Sequence, residues 1–201
     1  MKIRKLVWIM TVTVLTLVLA ACGGNAPAPT AESGAPSANT LSKQAIFDGG
    51  ILGGGFSVQY PDSWSHQIGE SDIRLSNDTD ILSLDSEPTD LSTGTIAMSV
   101  SLTPASDIQG FDVTSLVQTF VDLAQSSSPP PEFGDIETIT LDGRNAAKAI
   151  GTVAGSDNML LAVDLDGNIV LTIIIAPEGE LSGHMDTINA IVASVQLSPA
   201  E

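Results

Sequence analysis

The sequence has few basic residues and a single cysteine. Seven Lys and Arg stand against 24 Asp and Glu, so the formal net charge is −17 over 201 residues. A nucleic-acid-binding protein needs a basic face that displaces counterions from phosphates, so this class is excluded. One cysteine cannot form an intramolecular disulfide, which excludes a disulfide-stabilised scaffold. The length suits one domain with an appended segment.

Basic residues and an apolar stretch open the chain. Three of the seven basic residues lie in the first five positions, and only three threonines interrupt the apolar stretch at 6–21. This stretch suits a signal peptide and is short for a membrane-spanning helix, which needs about 20 apolar residues. It ends in Leu19-Ala20-Ala21-Cys22, which resembles the lipobox of bacterial lipoproteins.

The lipobox resemblance implies a cleaved signal peptide at 1–21 and a lipidated Cys22. In lipoproteins the cysteine is acylated, typically with palmitate, and two or three acyl chains anchor a protein stably. We therefore expect a lipid-anchored, extracytoplasmic protein at the cell membrane or cell surface. Cleavage would leave four basic and 24 acidic side chains, a net charge of −20. An ordinary secretory signal and an uncleaved anchor helix are the alternatives.

Small and polar residues follow the cysteine. Gly, Ala, Pro, Ser, Thr and Asn make up nearly all of 23–40, where Glu32 is the one charged residue. Such a segment cannot bury enough apolar surface to offset the entropy lost on ordering. We therefore predict a flexible linker over 22–43 and a folded domain over 44–201.

Two apolar periodicities alternate in the domain. Residues 95–103 place apolar side chains at every second position, which predicts a half-buried antiparallel strand. Residues 113–124 carry a helical apolar face, with Asp112 as the N-cap and prolines at 129–131 that stop the helix. A last helix is predicted after Ser182. Further strands are predicted at 56–60, 73–76, 81–84, 136–141, 146–153, 159–165 and 169–176.

The turns and the last strand indicate how these elements combine. Asp142-Gly143 and Asp166-Gly167 favour type I′ hairpins between neighbouring strands. The apolar run at 169–175 does not alternate, so this strand should be covered on both faces, and two amphipathic helices are available to cover it. Strands with segregated helices predict an α+β fold, an antiparallel β-sheet packed between helices.

The segment Phe56-Ser57-Val58-Gln59-Tyr60-Pro61-Asp62-Ser63-Trp64 resembles the opening signature of PsbP-like domains. Leu141-Asp142-Gly143-Arg144 and the closing Ile191-Val192-Ala193-Ser194-Val195 fit the same layout, so the resemblance covers about 145 residues. It implies a PsbP-like α/β/α sandwich. Members of this family mostly bind proteins or lipids and share no catalytic residues. The resemblance therefore implies a non-catalytic role and transfers no functional residue.

Three aromatic residues lie close together at the start of the domain: Phe56, Tyr60 and Trp64. The favoured interpretation is that they form a corner of the core, where the first predicted strand turns at Pro61. Alternatively, Tyr60 and Trp64 contact a partner or a ligand, since amphipathic aromatic residues are common at binding hot spots.

No motif predicts a catalytic site, a cofactor or a bound metal. His66 and His184 are the only histidines, and no Gly-x-Ser-x-Gly motif accompanies them. Asp164 to Asn168 fits a hairpin turn better than a calcium loop. The glycine-rich run 49–55 lacks the lysine of a phosphate-binding loop and is expected to lead into the sheet. One acidic cluster has two interpretations, a solvated edge of the sheet or a calcium-binding site: Asp78, Asp80, Asp85, Glu87 and Asp90.

Three functions are compatible with these features. The leading hypothesis is a membrane-anchored, non-catalytic protein-binding or accessory module with a partner in the cell envelope, which predicts a filled core and an exposed apolar patch. The alternative is a carrier or sensor of a lipid or other apolar ligand, which predicts an apolar pocket of several hundred Å³. The third is a hydrolase, which predicts His66 or His184 in a cleft beside a carboxylate.

Overall fold

The computed structural model describes residues 40–49, 54–82, 91–104, 107, 110–126 and 130–198. All of them belong to one compact unit, Pro36–Glu201. The predicted signal peptide, Cys22 and the linker up to residue 39 lie outside the described residues. Within the described ranges, no helix has the length and apolar character that crossing a membrane requires.

Strands dominate the described part of the chain. The three helices there are α1 (Thr79–Leu82), α2 (Val113–Ala124) and α3 (Leu181–Ala193). The strands are β1 (Leu41–Phe47), β2 (Phe56–Pro61), β3 (Ser65–Ile68), β4 (Asp72–Ser76), β5 (Ala97–Thr103), β6 (Glu132–Phe133), β7 (Glu137–Leu141), β8 (Arg144–Val153), β9 (Ser156–Leu165), β10 (Asn168–Pro177) and β11 (Gln196–Leu197).

The strands form two antiparallel sheets. The large sheet has the order β3-β4-β5-β10-β9-β8-β6, and β7 also pairs with β8. The small sheet has the order β1-β2-β11. Helix α2 packs on one face of the large sheet, and α3 with the small sheet packs on the other. This arrangement confirms the predicted α+β fold with an antiparallel sheet between helices. That a second sheet covers part of one face is a feature the sequence did not predict.

The central strand β10 is buried on both faces, as its uninterrupted apolar run predicted. Val170 and Ile174 join the core beneath α3 and the small sheet, whereas Ile169 and Leu171 join the core beneath α2. Successive side chains of a strand point to opposite faces, so one strand serves two cores. Both cores consist of residues of the unit 36–201, so this unit meets the condition for folding without the residues before it.

Local hydrogen-bonding chemistry fixes several element ends. The Asp112 carboxylate accepts a hydrogen bond from the Ser115 backbone nitrogen at 2.7 Å, which confirms the predicted N-cap and lowers the pKa of Asp112. Asp142-Gly143 and Asp166-Gly167 have positive φ at both positions, as type I′ turns require. Ala154-Gly155, at φ 49° and 82°, forms the same kind of turn between β8 and β9, which was not predicted.

The strand predicted at 81–84 is wrong. Residues 79–82 form the short helix α1, and residues 83–90 lie outside the described residues. The Asp78 side chain accepts a hydrogen bond from the Asp80 backbone nitrogen at 3.0 Å. A short acidic side chain in this position satisfies a backbone donor of the first helical turn, so it favours a helix over a strand.

The predicted start of the domain at residue 44 is also displaced. Strand β1 begins at Leu41 and pairs with β2, so three residues assigned to the linker 22–43 belong to the small sheet. The glycine-rich run therefore connects two paired strands and does not lead into the first one. Helix α3 begins at Leu181, before the predicted start at Ser182, and its N-cap Glu180 makes no side-chain capping hydrogen bond.

Thr172 of β10 gives a test of this core. Its side chain is fully buried, and within the described structure its hydroxyl has no hydrogen-bond partner. A buried polar group without a partner costs about 1–3 kcal/mol. We expect Thr172→Val, which keeps the shape and removes the hydroxyl, to raise the free energy of unfolding in urea by about 1 kcal/mol.

Thr187 of α3 supplies the matched control for this substitution. It is also buried, at 5% exposure, but it takes part in a polar interaction. Thr187→Val should therefore leave the unfolding free energy unchanged or lower it. An unfolding free energy of Thr172→Val at or below that of the wild type would contradict the assignment of Thr172 as an unsatisfied group.

Candidate functional site

An open apolar groove lies on one face of the large sheet, at the C-terminal end of α2. Its volume is about 430 Å³. The walls consist of residues from α2 and from the segment that forms β6: Phe120, Leu123, Ala124, Pro131 and Phe133. The floor and far end consist of residues of β8, β9, β10 and the Ala154 turn: Val153, Ala154, Ser156, Asn158, Met159, Leu160, Ile173 and Ile175. We call this feature the α2 groove.

The α2 groove exists because α2 is shorter than the strands beneath it. A helix of 12 residues spans about 18 Å. The ten-residue strands β8, β9 and β10 span about 33 Å each. The helix ends at Ala124, and beyond it no helix among the described residues covers this part of the sheet. Ile173 pairs with Leu160 and Ile175 with Asn158 across the two central strands, so the floor is a row of paired residues.

Gly151 of β8 makes room for the β6 wall. A Cβ at this position would lie 2.6 Å from the carbonyl oxygen of Glu132 and 2.7 Å from Cδ1 of Phe133. Both distances are too short for a real contact. The close approach allows Phe133 to pair with Gly151 and its ring to form one side of the groove. A larger residue at 151 would displace this wall.

The polar groups in the α2 groove are few and uncharged. No described residue that lines it is Asp, Glu, Lys, Arg or His. The Asn158 side-chain nitrogen donates a hydrogen bond to the Ser156 carbonyl oxygen at 3.1 Å. This bond uses one of the two N–H donors of the amide and fixes its orientation, while the Asn158 side-chain oxygen and the Ser156 hydroxyl have no hydrogen-bond partner among the described residues. The groove therefore offers an apolar surface with two uncharged polar atoms.

Leu123 stands at the rim of the groove with 65% of its surface exposed. The buried face of α2 consists of Val113, Leu116, Val117 and Val121. Leu123 falls outside that face, and an apolar residue on the solvent side of a helix is the one sequence signal that points to this region. Nothing in the sequence indicated that the floor residues line a groove, because apolar residues of predicted strands were expected to lie in a filled core.

The residues singled out as contacts lie elsewhere. Tyr60 and Trp64 are only 4% and 5% exposed and belong to the core beneath α3 and the small sheet, which favours the core interpretation. The Tyr60 hydroxyl and His66 Nδ1 form a hydrogen bond of 2.8 Å. Burial raises the pKa of Tyr60. Neither aromatic residue lines the α2 groove.

The histidines do not meet the requirement of the hydrolase hypothesis. His66 is exposed on β3 and contacts Tyr60, and His184 is half-buried in α3. In the part of the chain that the structure describes, neither histidine forms an ion pair with a carboxylate, and neither lines the groove. A histidine base in a cleft beside a carboxylate is thus not found there.

The acidic cluster lies largely outside the described structure. Asp78 and Asp80 flank the start of α1, whereas Asp85, Glu87 and Asp90 are not among the described residues. Among the residues that are described, no group of three or more His, Cys, Asp and Glu is placed to hold a metal ion. The Asp164 side chain accepts a hydrogen bond from the Gly167 backbone nitrogen at 3.0 Å, which agrees with the hairpin interpretation of that segment.

Comparison with known proteins shows that the fold of this chain is similar to that of several solved structures. No family model matches this sequence, and no curated protein sequence matches it. Cyanobacterial PsbP (CyanoP) from Synechocystis sp. PCC 6803 has a TM-score of 0.48 and 12% identity, over 90% of this chain and 99% of that chain.

Two other solved structures are similar at comparable levels. The Ran-binding protein Mog1p of Saccharomyces cerevisiae has a TM-score of 0.46 and 8% identity, over 78% of this chain and 96% of that chain. LpqN of Mycobacterium tuberculosis, involved in cell envelope biogenesis, has a TM-score of 0.43 and 16% identity, over 78% and 91%. Function does not follow from fold at such distances.

Proposed function

We propose that this protein is a non-catalytic binding module, anchored outside the cytoplasm by lipid at Cys22, that binds an apolar ligand in the α2 groove. The observation that carries the proposal is the groove itself. Its volume of about 430 Å³ falls within the range of small-molecule sites. Its lining is apolar with a few polar atoms, which is the composition that such sites share. The hypothesis of a carrier or sensor of an apolar ligand predicted a cavity of this kind.

The lipid anchor at Cys22 is part of the same proposal. It rests on the N-terminal charges, the apolar stretch and the small residues before the single cysteine. A tether from Cys22 to β1 would hold the groove within a short distance of the membrane surface. A module in this position can take up an apolar ligand from the bilayer or from a neighbouring envelope protein.

A protein partner in the envelope is the second candidate. The observation that favours it is Leu123, a large apolar side chain that is 65% exposed at the rim of the groove. Together with the apolar lining of the groove, this side chain forms a continuous apolar surface for a partner to cover. In this case the groove would receive side chains of the partner in place of a small ligand.

A photoreactive alkyl diazirine probe, added to cells that produce the lipidated protein, tests the proposal. After irradiation, mass spectrometry should find the label on peptides from the end of α2 and from the β8–β9 hairpin. Ala124→Trp places a large ring in the groove and should reduce labelling by about tenfold or more, because the filled groove no longer admits the alkyl chain.

Ile46→Trp is the matched control for the photolabelling experiment. Ile46 is 55% exposed on β1 and is not among the lining residues. This variant should be labelled like the wild type. Equal labelling of Ala124→Trp and Ile46→Trp would rule out the groove as the binding site. A photoreactive amino acid in place of Leu123 that cross-links to a second protein, without alkyl labelling of the wild type, would favour the protein partner.

A further inference from the structure

We infer that the ligand of the α2 groove is an uncharged amphiphile, with one alkyl chain and a hydroxyl or amide group that donates a hydrogen bond to Asn158. This inference rests on the proposed binding function of the groove and names the chemical class of its ligand. It follows from three features of the described residues, namely the charge of the lining, the charge of the chain and the hydrogen-bonding state of Asn158.

The first feature is that none of the described residues that line the groove is charged. A carboxylate or phosphate head group needs a cation or several hydrogen-bond donors when it leaves water, and without them its burial is strongly unfavourable. The basic residues that follow Cys22 are Lys43, Arg74, Arg144 and Lys148, and none of them lines the groove. Lys148 forms an ion pair with Glu137, and Arg74 forms one with Asp72.

The second feature is the net charge, which is −17 for the full chain and becomes more negative, −20, if the signal peptide is removed. The potential of such a surface repels anions as they approach. A fatty acid or an anionic phospholipid would therefore be disfavoured both on approach and in the groove. An alkyl chain with a neutral head group meets neither obstacle.

The third feature is the unused acceptor in the floor. One N–H of the Asn158 side-chain amide is donated to the Ser156 carbonyl oxygen, which fixes the orientation of the amide and leaves its oxygen as an acceptor for a ligand. The Ser156 side chain, only 7% exposed, lies two residues away on the same face of β9. An oxygen acceptor selects a ligand that carries an O–H or N–H donor. The apolar side chains around these two atoms would hold the alkyl chain.

Isothermal titration of the chain 36–201 with 1-decanol, decanoate and decyl methyl ether at pH 8, below the aggregation limit of each, tests the inference. The carboxylate is fully ionised at this pH. We expect 1-decanol to bind. Decanoate should bind at least about tenfold more weakly because no described cation lines the groove to pair with its charge. The ether should bind about tenfold more weakly because it has no donor and leaves the Asn158 oxygen unpaired.

Asn158→Leu should weaken 1-decanol binding by about tenfold, because the acceptor is lost while the apolar surface is kept. It should also remove the preference for 1-decanol over the ether. Ser156→Ala is a second variant, for use if Asn158→Leu does not fold. With it, 1-decanol should keep its preference over the ether, because the Asn158 acceptor remains. Asn145→Leu, the same change at an exposed position of β8 outside the groove, should bind 1-decanol like the wild type.

The outcomes separate this inference from the proposed function. Decanoate binding as tightly as 1-decanol would overturn the inference and leave the groove as an apolar site. Selective 1-decanol binding that survives in Asn158→Leu would overturn the role of Asn158. Binding of none of the three probes would overturn the inference and the proposed function together.

Discussion

Replacement of Trp64 by alanine should destabilise the domain by about 3–5 kcal/mol. Trp64 is 5% exposed and belongs to the core that α3 and the small sheet cover, together with Tyr60. Removal of a large buried ring loses its transfer free energy and leaves a cavity that the surrounding side chains fill only in part. Domains are typically stable by about 5–15 kcal/mol, so this loss is a large share of the free energy of unfolding.

Urea unfolding of the chain 36–201 measures this effect. Phe111→Ala is the matched control, because Phe111 is a large aromatic residue that is 50% exposed and lies before α2. The control should change the free energy of unfolding by no more than about 1 kcal/mol. A Trp64→Ala variant of full stability that has lost binding of its ligand or partner would instead assign Trp64 to a binding site.

Substitution of Cys22 by serine should abolish lipid labelling completely. Cys22 is the only cysteine in the sequence, so no other thiol can replace it. A serine hydroxyl lacks the nucleophilicity of a thiol, which is the group that receives the lipid in lipoproteins. We expect the Cys22→Ser protein to accumulate as an unprocessed precursor that retains residues 1–21.

Growth of cells with radiolabelled palmitate, followed by gel electrophoresis, measures both effects. The wild type should migrate at the mass of the processed chain and carry the label. The Cys22→Ser protein should migrate at the mass of the precursor and carry no label. Gly24→Ala is the control, because it changes the flanking sequence and keeps the thiol. Normal labelling of the Cys22→Ser protein would refute the lipid anchor and leave the groove proposal to stand by itself.

Local patterns were sufficient for most of the large sheet and for the start of α2. The alternation of β5, the two Asp-Gly turns and the Asp112 cap are each set by residues close in the chain, through side-chain periodicity or short-range hydrogen bonds. The continuous apolar run of β10 also required cover on both faces. The structure confirms these features, and they could be predicted because the interactions that cause them are local in the chain.

Edge and connecting elements were predicted less well for a physical reason. Strand β3 is a polar edge strand, and its residues carry no alternation that distinguishes it from a loop. Strand β1 buries only Ala45 and Phe47 in its inner half, and it forms because β2 is available to pair with it. The segment at 81–84 has the apolar content of a strand, but the Asp78 side chain favours a helical turn.

By itself the sequence determined the α+β class, the acidic character and the residues of the central strand, because composition and periodicity suffice for these. The α2 groove was decided only by the tertiary structure. It depends on the end of a short helix above longer strands, on the close approach of β6 to Gly151, and on the pairing that sets Asn158 beside Ile175. Each of these joins residues that are distant in the chain, and a pattern read along the chain does not contain such distances.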